Sequence, residues 1–262
     1  MKTSPLKKEI VLIILFLFAF GIIYSDAPSD IKRFNPISTK ELNISLNSEN
    51  LTISSTEEAE IIIITETSDN PLNPKINLQN NSLSITNQTL KNQEKSFCDI
   101  TILLPADCCF NSVDINNITG NLNIEHLNCQ SLIIQTEGKS TFNDIKTGSF
   151  KLVDLGESDI AITDLDCDSF NIDRFEGKTQ LSLKRLPTEE SSIRTKIGEI
   201  EIILSEAENY TLFTKSFNSK LINKIDNTEL NSIREGKKIV HNKGSATISV
   251  QTHIGNIVIT NQ

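Results

Sequence analysis

The chain has 262 residues and a formal net charge of -9; aromatic residues make up 5% of it, and none is tryptophan. Its length suffices for one large domain or two ordinary domains with a sizeable core. Nucleic acid is disfavoured as a partner, because phosphate contacts need clustered Lys and Arg and base stacking needs exposed aromatic rings. Three His and five Cys provide few ligands for a catalytic metal centre.

Residues 1–25 predict an export segment rather than a part of the fold. Three lysines precede the apolar run 10–24, whose 15 residues suit a signal peptide and are fewer than a relaxed spanning helix prefers. Signal-peptidase cleavage after Ser25 is disfavoured because the residue two positions before Ser25 is not small. Cleavage after Ala27 is disfavoured because Pro28 follows the cut. A cleaved signal peptide and an uncleaved signal anchor therefore both stay open. Either one places the rest of the chain, with a net charge of -11, outside the cytoplasm.

Residues 26–40 are interpreted as a linker, and residues 41–262 predict a domain of short strands. Polar and apolar residues alternate over 41–46 and 82–86, which is the pattern of half-buried strands. Residues 57–64 begin like a helix, but their four successive isoleucines favour a turn followed by a strand. The expected fold class is all-β.

An internal repeat of about 20 residues runs through the middle of the chain. Its glycines are spaced by 18, 18, 21 and 21 residues: Gly120, Gly138, Gly156, Gly177 and Gly198. Each is expected to supply a turn conformation, followed by an alternating strand, a polar corner and a second strand. One such unit cannot bury its apolar side alone, whereas a stack of units can. The repeat predicts a single-chain β-solenoid of about 11 coils, each of 18–21 residues, with a β-sandwich as the alternative.

Several strand motifs resemble a known family. An Ile-rich strand ends in Leu104-Pro105, a Val-x-Ile strand follows at 113–115, and the chain closes with the alternating stretch 248–259. Over residues 41–262 the sequence resembles the bacterial adhesin-like β-strand-repeat proteins, exported envelope proteins whose domain has no assigned function. The resemblance implies an extracytoplasmic β-coil domain with no catalytic residues, no metal and no cofactor.

The cysteines allow two interpretations. The five can be small buried hydrophobic residues of the coils, or Cys98 can form a disulfide with Cys108 or Cys109; the odd count leaves at least one thiol free or intermolecular. Cys129 and Cys167 hold the same position two coils apart. Their predicted separation of about 9.6 Å exceeds the roughly 7 Å limit for a disulfide, so no bridge between them is expected.

No other cluster predicts chemistry. Asp164, Asp166 and Asp168 are reminiscent of a calcium loop, but Ser169 and Phe175 stand where that loop needs Gly and Glu, so a solvated acidic corner is expected. The remaining candidates show neither metal spacing nor a paired geometry: His126, His241, His253, Glu189 and Glu190.

The sequence therefore predicts a non-enzymatic, exported structural or binding module of the cell envelope. Its partners are expected to be protein or glycan, not nucleic acid, with membrane contact only through residues 10–25 if the leader stays uncleaved. The net acidic surface is expected to favour basic, neutral-glycan or protein partners over anionic lipid. A polysaccharide-active enzyme on a β-helix and an accessory or sensor protein of an envelope-stress system are the alternatives.

Overall fold

The structure, a computed structural model, describes residues 29–67, 74–87, 98–204, 209–231, 233–242, 244 and 246–261. The predicted leader lies outside these ranges. Within them, no helix combines the length and the apolar character needed to cross a membrane.

The described chain is almost entirely strand. One 3₁₀ turn, Pro36–Ser38, follows the first strand. The strands are β1 (Ser29–Phe34), β2 (Glu41–Leu46), β3 (Asn50–Thr56), β4 (Ile61–Thr67), β5 (Lys75–Gln79), β6 (Ser82–Thr86), β7 (Cys98–Pro105), β8 (Phe110–Asn117), β9 (Leu122–Thr136), β10 (Ser140–Asp154), β11 (Ile160–Glu176), β12 (Thr179–Leu183), β13 (Ser191–Ile197), β14 (Ile200–Leu204), β15 (Tyr210–Ser216), β16 (Leu221–Asn223), β17 (Thr228–Leu230), β18 (Ile233–His241), β19 (Ala246–Ile254) and β20 (Ile257–Asn261).

The strands form one continuous sheet that is bent into two halves, here called sheet 1 and sheet 2. The long strands β9, β10 and β11 belong to both halves, and each bends at a residue with positive φ: His126, Asp144 and Asp164. Each central coil runs from a glycine turn through sheet 2, around this bend, and on through sheet 1. Neighbouring coils pair in parallel, which is the β-solenoid arrangement that the repeat predicts.

The layers do not follow the order of the sequence at either end. Sheet 1 runs β5-β6-β2-β8-β9-β10-β11-β13-β19-β15-β18. Sheet 2 runs β1-β4-β7-β3-β9-β10-β11-β12-β14-β20-β16-β17. The β2–β3 layer is thus inserted between the β6–β7 and β8–β9 layers, and the β19–β20 layer between the β13–β14 and β15–β16 layers.

Antiparallel pairs occur towards the ends of the two sheets, where β4 and β7 also pair antiparallel, whereas the central pairs are parallel. β5, β17 and β18 each pair antiparallel with one neighbour at an edge, and β1 pairs antiparallel with β4. β1 lies within residues 26–40, so part of the stretch interpreted as a linker is a paired strand. β4 follows an irregular turn at 57–60, and this confirms the predicted turn and strand.

The core lies between the two halves and consists of columns of like residues. In sheet 1, Ile115 pairs in register with Ile134, Leu152, Ile172 and Ile193 from successive layers. All five side chains are at most 1% exposed. Because the strands are parallel and in register, each apolar side chain packs on its counterpart in the next coil. Continuous burial of this kind accounts for the alternation seen in the sequence.

The repeated glycines stack on one another at the turns from sheet 1 to sheet 2. A Cβ on Gly138 would lie 2.0 Å from the carbonyl oxygen of Gly120, and a Cβ on Gly198 would lie 2.0 Å from that of Gly177. Positive φ occurs at Gly177 and Gly198 but not at Gly120 or Gly138. At the first two repeats, the close approach of backbones rather than turn conformation therefore requires glycine. Gly255 continues the stack, since a Cβ there would lie 1.9 Å from the Gly198 oxygen.

A column of buried polar residues lies beside the glycine turns. It pairs Asn117, Thr136, Asp154, Arg174, Thr195 and Thr252 in register. Arg174 donates hydrogen bonds to Asp154 and Thr179 and to the backbone oxygens of Ser158, Glu176 and Lys178. Asp154 in turn accepts from the backbone N–H of Gly156 at 3.0 Å. This buried ion pair is fully hydrogen-bonded and ties two successive turns together.

Candidate binding surfaces

The bend between sheets 2 and 1 carries a column of charged side chains. His126 Nδ1 lies 2.7 Å from Asp144 Oδ2, and Lys184 Nζ lies 3.1 Å from Asp144 Oδ1. These hydrogen bonds, first that of His126 and then that of Lys184, lower the pKa of Asp144 below its ordinary value. The Asp144 carboxylate is therefore held ionised between two positively polarised neighbours.

The acidic run predicted from the sequence lies on the same bend. Arg185 pairs with both Asp166 and Asp168, at 2.7 Å in the case of Asp168 Oδ1. Two of the three carboxylates are thus paired with a cation rather than only solvated. The charges of Asp164 and Asp166 help to raise the pKa of Lys184, although its hydrogen bond to Asp144 contributes more. Within the described residues, no group of three or more His, Cys, Asp or Glu side chains could hold a metal ion.

A groove of about 300 Å³ opens at this bend and contains the residue types of a hydrolase. Ser55 from β3 lines it together with His126, Asp144 and Lys184. Nucleophilic catalysis needs the serine hydrogen-bonded to the histidine. No hydrogen bond joins Ser55 to His126 among the described residues, and the His126 and Asp144 side chains are 50% and 38% exposed. The geometry fits an electrostatic contact between coils better than a catalytic triad.

A second groove, of about 440 Å³, lies on the outer surface of sheet 1 and is called the sheet 1 groove. It is lined by Asn171, Ser192, Arg194, Phe213 and Ser249, from four neighbouring strands. Ser192 Oγ donates to Asn171 Oδ1 at 2.9 Å, and Phe213 is 44% exposed. The groove offers short hydrogen-bonding groups, one guanidinium and one aromatic ring on a flat surface. Such a surface suits reversible contact with an extended partner.

All five cysteines are free thiols, so the interpretation with a Cys98 disulfide differs from the structure. Cys98, Cys108, Cys129 and Cys167 are buried, and Cys109 is exposed. Burial raises the pKa of Cys98, Cys108 and Cys129 to about 11 and that of Cys167 to about 12. The four buried thiols consequently stay protonated and unreactive near neutral pH.

The register also tests the predicted coil phase. Cys129 pairs with Thr147, which pairs with Cys167, so the two cysteines lie two layers apart as predicted. Cys129 Sγ donates to Thr147 Oγ1 at 3.6 Å and fills the gap between the layers.

The remaining histidines lie against aromatic rings. His241 stacks on Tyr210 with the ring centroids 4.9 Å apart, and His253 lies 4.7 Å from the Phe217 centroid. Glu189 and Glu190 are exposed on the loop before β13, where Glu190 lines the sheet 1 groove. Sequence reasoning missed the partners of the acidic bend, because Lys184 and Arg185 reach it from the next coil.

Solved structures with a similar arrangement come from bacteria. A candidate cell adhesion protein from Clostridium sporogenes is 14% identical, with a TM-score of 0.46, over 90% of this chain and 100% of that one. A candidate adhesin from Bacteroides fragilis is 15% identical, with a TM-score of 0.42, over 91% of this chain and 98% of that one. A candidate adhesin from Parabacteroides distasonis is 12% identical, with a TM-score of 0.39, over 90% and 98% of the two chains.

No curated protein matches the sequence. A family pattern does match, and it covers residues 39–182, which is more than half of the chain and extends from the start of the β2 layer into β12. The matched span contains the glycine turns from Gly120 to Gly177, the acidic side of the charged bend and the central parallel coils β9 to β11. On this evidence the chain belongs to the Toastrack DUF4097 family.

Proposed function

We propose that the protein is a non-enzymatic, exported binding module of the bacterial cell envelope. The observation that carries the proposal is the sheet 1 groove, in which polar side chains from three parallel strands and the Phe213 ring from a fourth lie in register on an accessible surface. A rigid stack of coils holds such groups in fixed positions, so little ordering is needed when a partner binds. The partner is a glycan or a protein of the envelope.

The thiols and the charged bend support a role without chemistry. A covalent mechanism needs an activated nucleophile beside a base. The buried thiols have raised pKa values, and the histidine at the bend is paired with a carboxylate that is itself paired with Lys184.

The leader supports export. Its lysines and apolar run 10–24 have the order of a signal sequence. Cell fractionation combined with the mass of the mature protein tests this part: recovery in the cytoplasm with an intact leader would contradict export, and the mass also decides between cleavage and anchoring.

A glycan array and the variant Ser192→Tyr test the binding role. Tyrosine is compatible with an outward strand position but fills the sheet 1 groove. We expect binding to fall at least tenfold. Ser45→Tyr, an exposed outward position on β2 in the same sheet, is the matched control and should bind as the unmodified chain does. Equal binding by both variants would contradict the sheet 1 groove as the site, and binding to no glycan or envelope protein would contradict the function.

A hydrolase at the bend is the second candidate, favoured by the presence of Ser55, His126 and Asp144 in one groove. Ester and glycan substrates test it. Turnover that is lost in both Ser55→Ala and His126→Ala would replace the binding module with an enzyme, whereas we expect no turnover above the buffer rate.

A further inference from the structure

The net negative charge of the protein conceals an uneven distribution. Residues 26–190 contain 13 basic and 26 acidic residues, whereas residues 191–262 contain nine basic and seven acidic residues. The first part therefore carries -13 and the second carries +2. At physiological ionic strength, charges are screened over about 8 Å, so a ligand responds to the local surface more than to the total charge.

Three lysines of this second part lie over phenylalanine rings on the outer surface of sheet 1. Lys196 Nζ lies 4.5 Å from the Phe175 centroid, Lys215 Nζ lies 5.0 Å from that of Phe217, and Lys238 Nζ lies 5.5 Å from that of Phe213. These three Lys and three Phe residues are here called the Phe–Lys array. They belong to the layers of β11, β13, β15 and β18 and the turn after β15. With β19 between β13 and β15, the array extends over four strand spacings, or about 19 Å along the solenoid.

The rings fix the positions of the ammonium groups. A cation–π contact attracts the ammonium group to the face of the ring, which limits the movement of an otherwise flexible side chain. Phe175 and Phe213 are 38% and 44% exposed, so their rings are accessible to a ligand as well as to the lysines. Arg194 adds a cation between the pairs and contacts Asp173 at a long 3.8 Å.

We propose that the Phe–Lys array binds a linear anionic glycan whose sugars carry carboxylates. This inference rests on the proposed binding role of sheet 1 and specifies the class of its ligand. The three ammonium groups belong to β13, β15 and β18, which are two layers and then one layer apart, so they offer cations over about 14 Å of the stack to the repeated charges of a polymer that crosses the strands. The neighbouring Ser192, Asn171 and Ser249 supply hydrogen-bonding groups for sugar hydroxyls.

The same surface is less suited to two other anionic partners. A bilayer is a broad plane that would also face the acidic coils of residues 26–190, so the total charge would oppose docking. An acidic peptide that binds by strand addition needs a free backbone edge, which in the array β18 provides, whereas β13, β15 and β19 are paired on both sides. A strand added beyond β18 would lie four strand spacings from Lys196 on β13, so it could not reach the whole array. A thin polymer can follow the array and meets only the last of the acidic coils, at β11.

Binding of the full chain to polygalacturonate, measured by calorimetry in 50 mM salt, tests the proposal, with methyl-esterified polygalacturonate as the uncharged probe. We expect binding to the charged polymer only, weakening as salt is raised. Lys196→Gln, Lys215→Gln and Lys238→Gln together should weaken binding about tenfold or more. The matched control changes three exposed lysines away from the array, Lys40, Lys75 and Lys139, to Gln; it alters the net charge equally and should change binding less than about twofold.

A second variant, with the three Phe residues of the array changed to Leu, keeps every charge and removes the rings. It should weaken binding about threefold, since the lysines lose their fixed positions. Equal binding of the charged and esterified polymers, or equal effects of the two lysine triples, would overturn the proposal. So would binding to phosphatidylserine vesicles or polyglutamate without binding to polygalacturonate. If the Phe–Lys array binds neutral glycans and no charged ones, this inference is wrong but the proposed binding function stands. If the protein binds no ligand at all, both are wrong.

Discussion

The buried pair of Arg174 and Asp154 provides a strong test of the fold. Changing Arg174 to Met keeps the length of the side chain but removes all of its donors. The two side chains are 0% and 1% exposed, so water cannot replace the lost contacts. The variant leaves a buried carboxylate without its cation and removes the donor to three turn carbonyls.

The expected cost follows from this burial. Removing one partner of a buried ion pair typically costs about 3–5 kcal/mol. With a urea dependence of about 3 kcal/mol/M, the midpoint of unfolding should fall by at least about 1 M. Urea unfolding followed by far-UV circular dichroism measures that midpoint, which is a suitable signal because the chain has no tryptophan.

Arg194→Met is the matched control. Arg194 lies in the next layer and also pairs with an aspartate, but the two side chains are 60% and 40% exposed and 3.8 Å apart. An exposed pair of this kind contributes about 0–1 kcal/mol, so its midpoint should hardly move. The double variant Asp154→Leu with Arg174→Met should recover part of the loss, because no charge is left buried. Equal midpoints for Arg174→Met and Arg194→Met would refute the role assigned to the buried pair.

Three further outcomes are expected. Gly138→Ala should destabilise the protein by more than about 2 kcal/mol, because its Cβ would collide with the neighbouring turn. Gly236→Ala should cost about 1–2 kcal/mol, because no atom lies closer than 3.7 Å to its Cβ and only its positive φ opposes a side chain. Similar urea midpoints for the two variants would contradict the stacked-turn explanation. The buried thiols have folded pKa values of about 11 to 12 against 9.0, so the unfolded chain ionises first and the free energy of unfolding should fall as pH rises above 9. Cys167→Ala should reduce that fall, and an unchanged pH profile would contradict it. His126→Ala should raise the pKa of Asp144, measured by carbon NMR titration of its carboxyl, because the hydrogen bond from His126 is lost. An unchanged pKa would show that the pair does not form in solution.

Periodicity predicted the central coils correctly for a physical reason. In a parallel, in-register stack, one coil length along the sequence is one layer in space, so residues a coil apart touch. The paired positions of Cys129, Thr147 and Cys167 follow directly from that rule. So does the contact of Phe175 with Lys196, which are 21 residues apart, although its significance is visible only when the exposed ring is seen.

The order of the layers at the two ends could not be predicted in this way. Alternation shows which side chains point inward, but any strand with that pattern can pair with any other. Nothing in β2 distinguishes β6 and β8 as its neighbours, and β19 pairs with both β13 and β15 for reasons of register alone. The Phe213–Lys238 contact depends on the antiparallel β15–β18 pair, so it could not be predicted from the sequence either.

Total charge proved a poor guide to the surface. The net charge of -11 for the residues after the leader predicts that the protein avoids polyanions. The acidic residues, however, are concentrated in the first coils and at the bend. The lysines of sheet 1 come together because β19 joins β13 to β15 and because β18 folds back on β15.

The insertion of the β19–β20 layer constrains the order in which the chain can fold. In sheet 1, β15 reaches β13 only through β19, which is synthesised later, so β15 to β18 have no finished docking surface as they emerge. The β2–β3 layer poses the converse problem, because it must wait for β6 and β8 on either side. Folding therefore cannot proceed coil by coil from one terminus. Its contacts are long-range in sequence, which favours slow, concerted folding after synthesis and gives the stack a cooperativity that a simple array of repeats lacks.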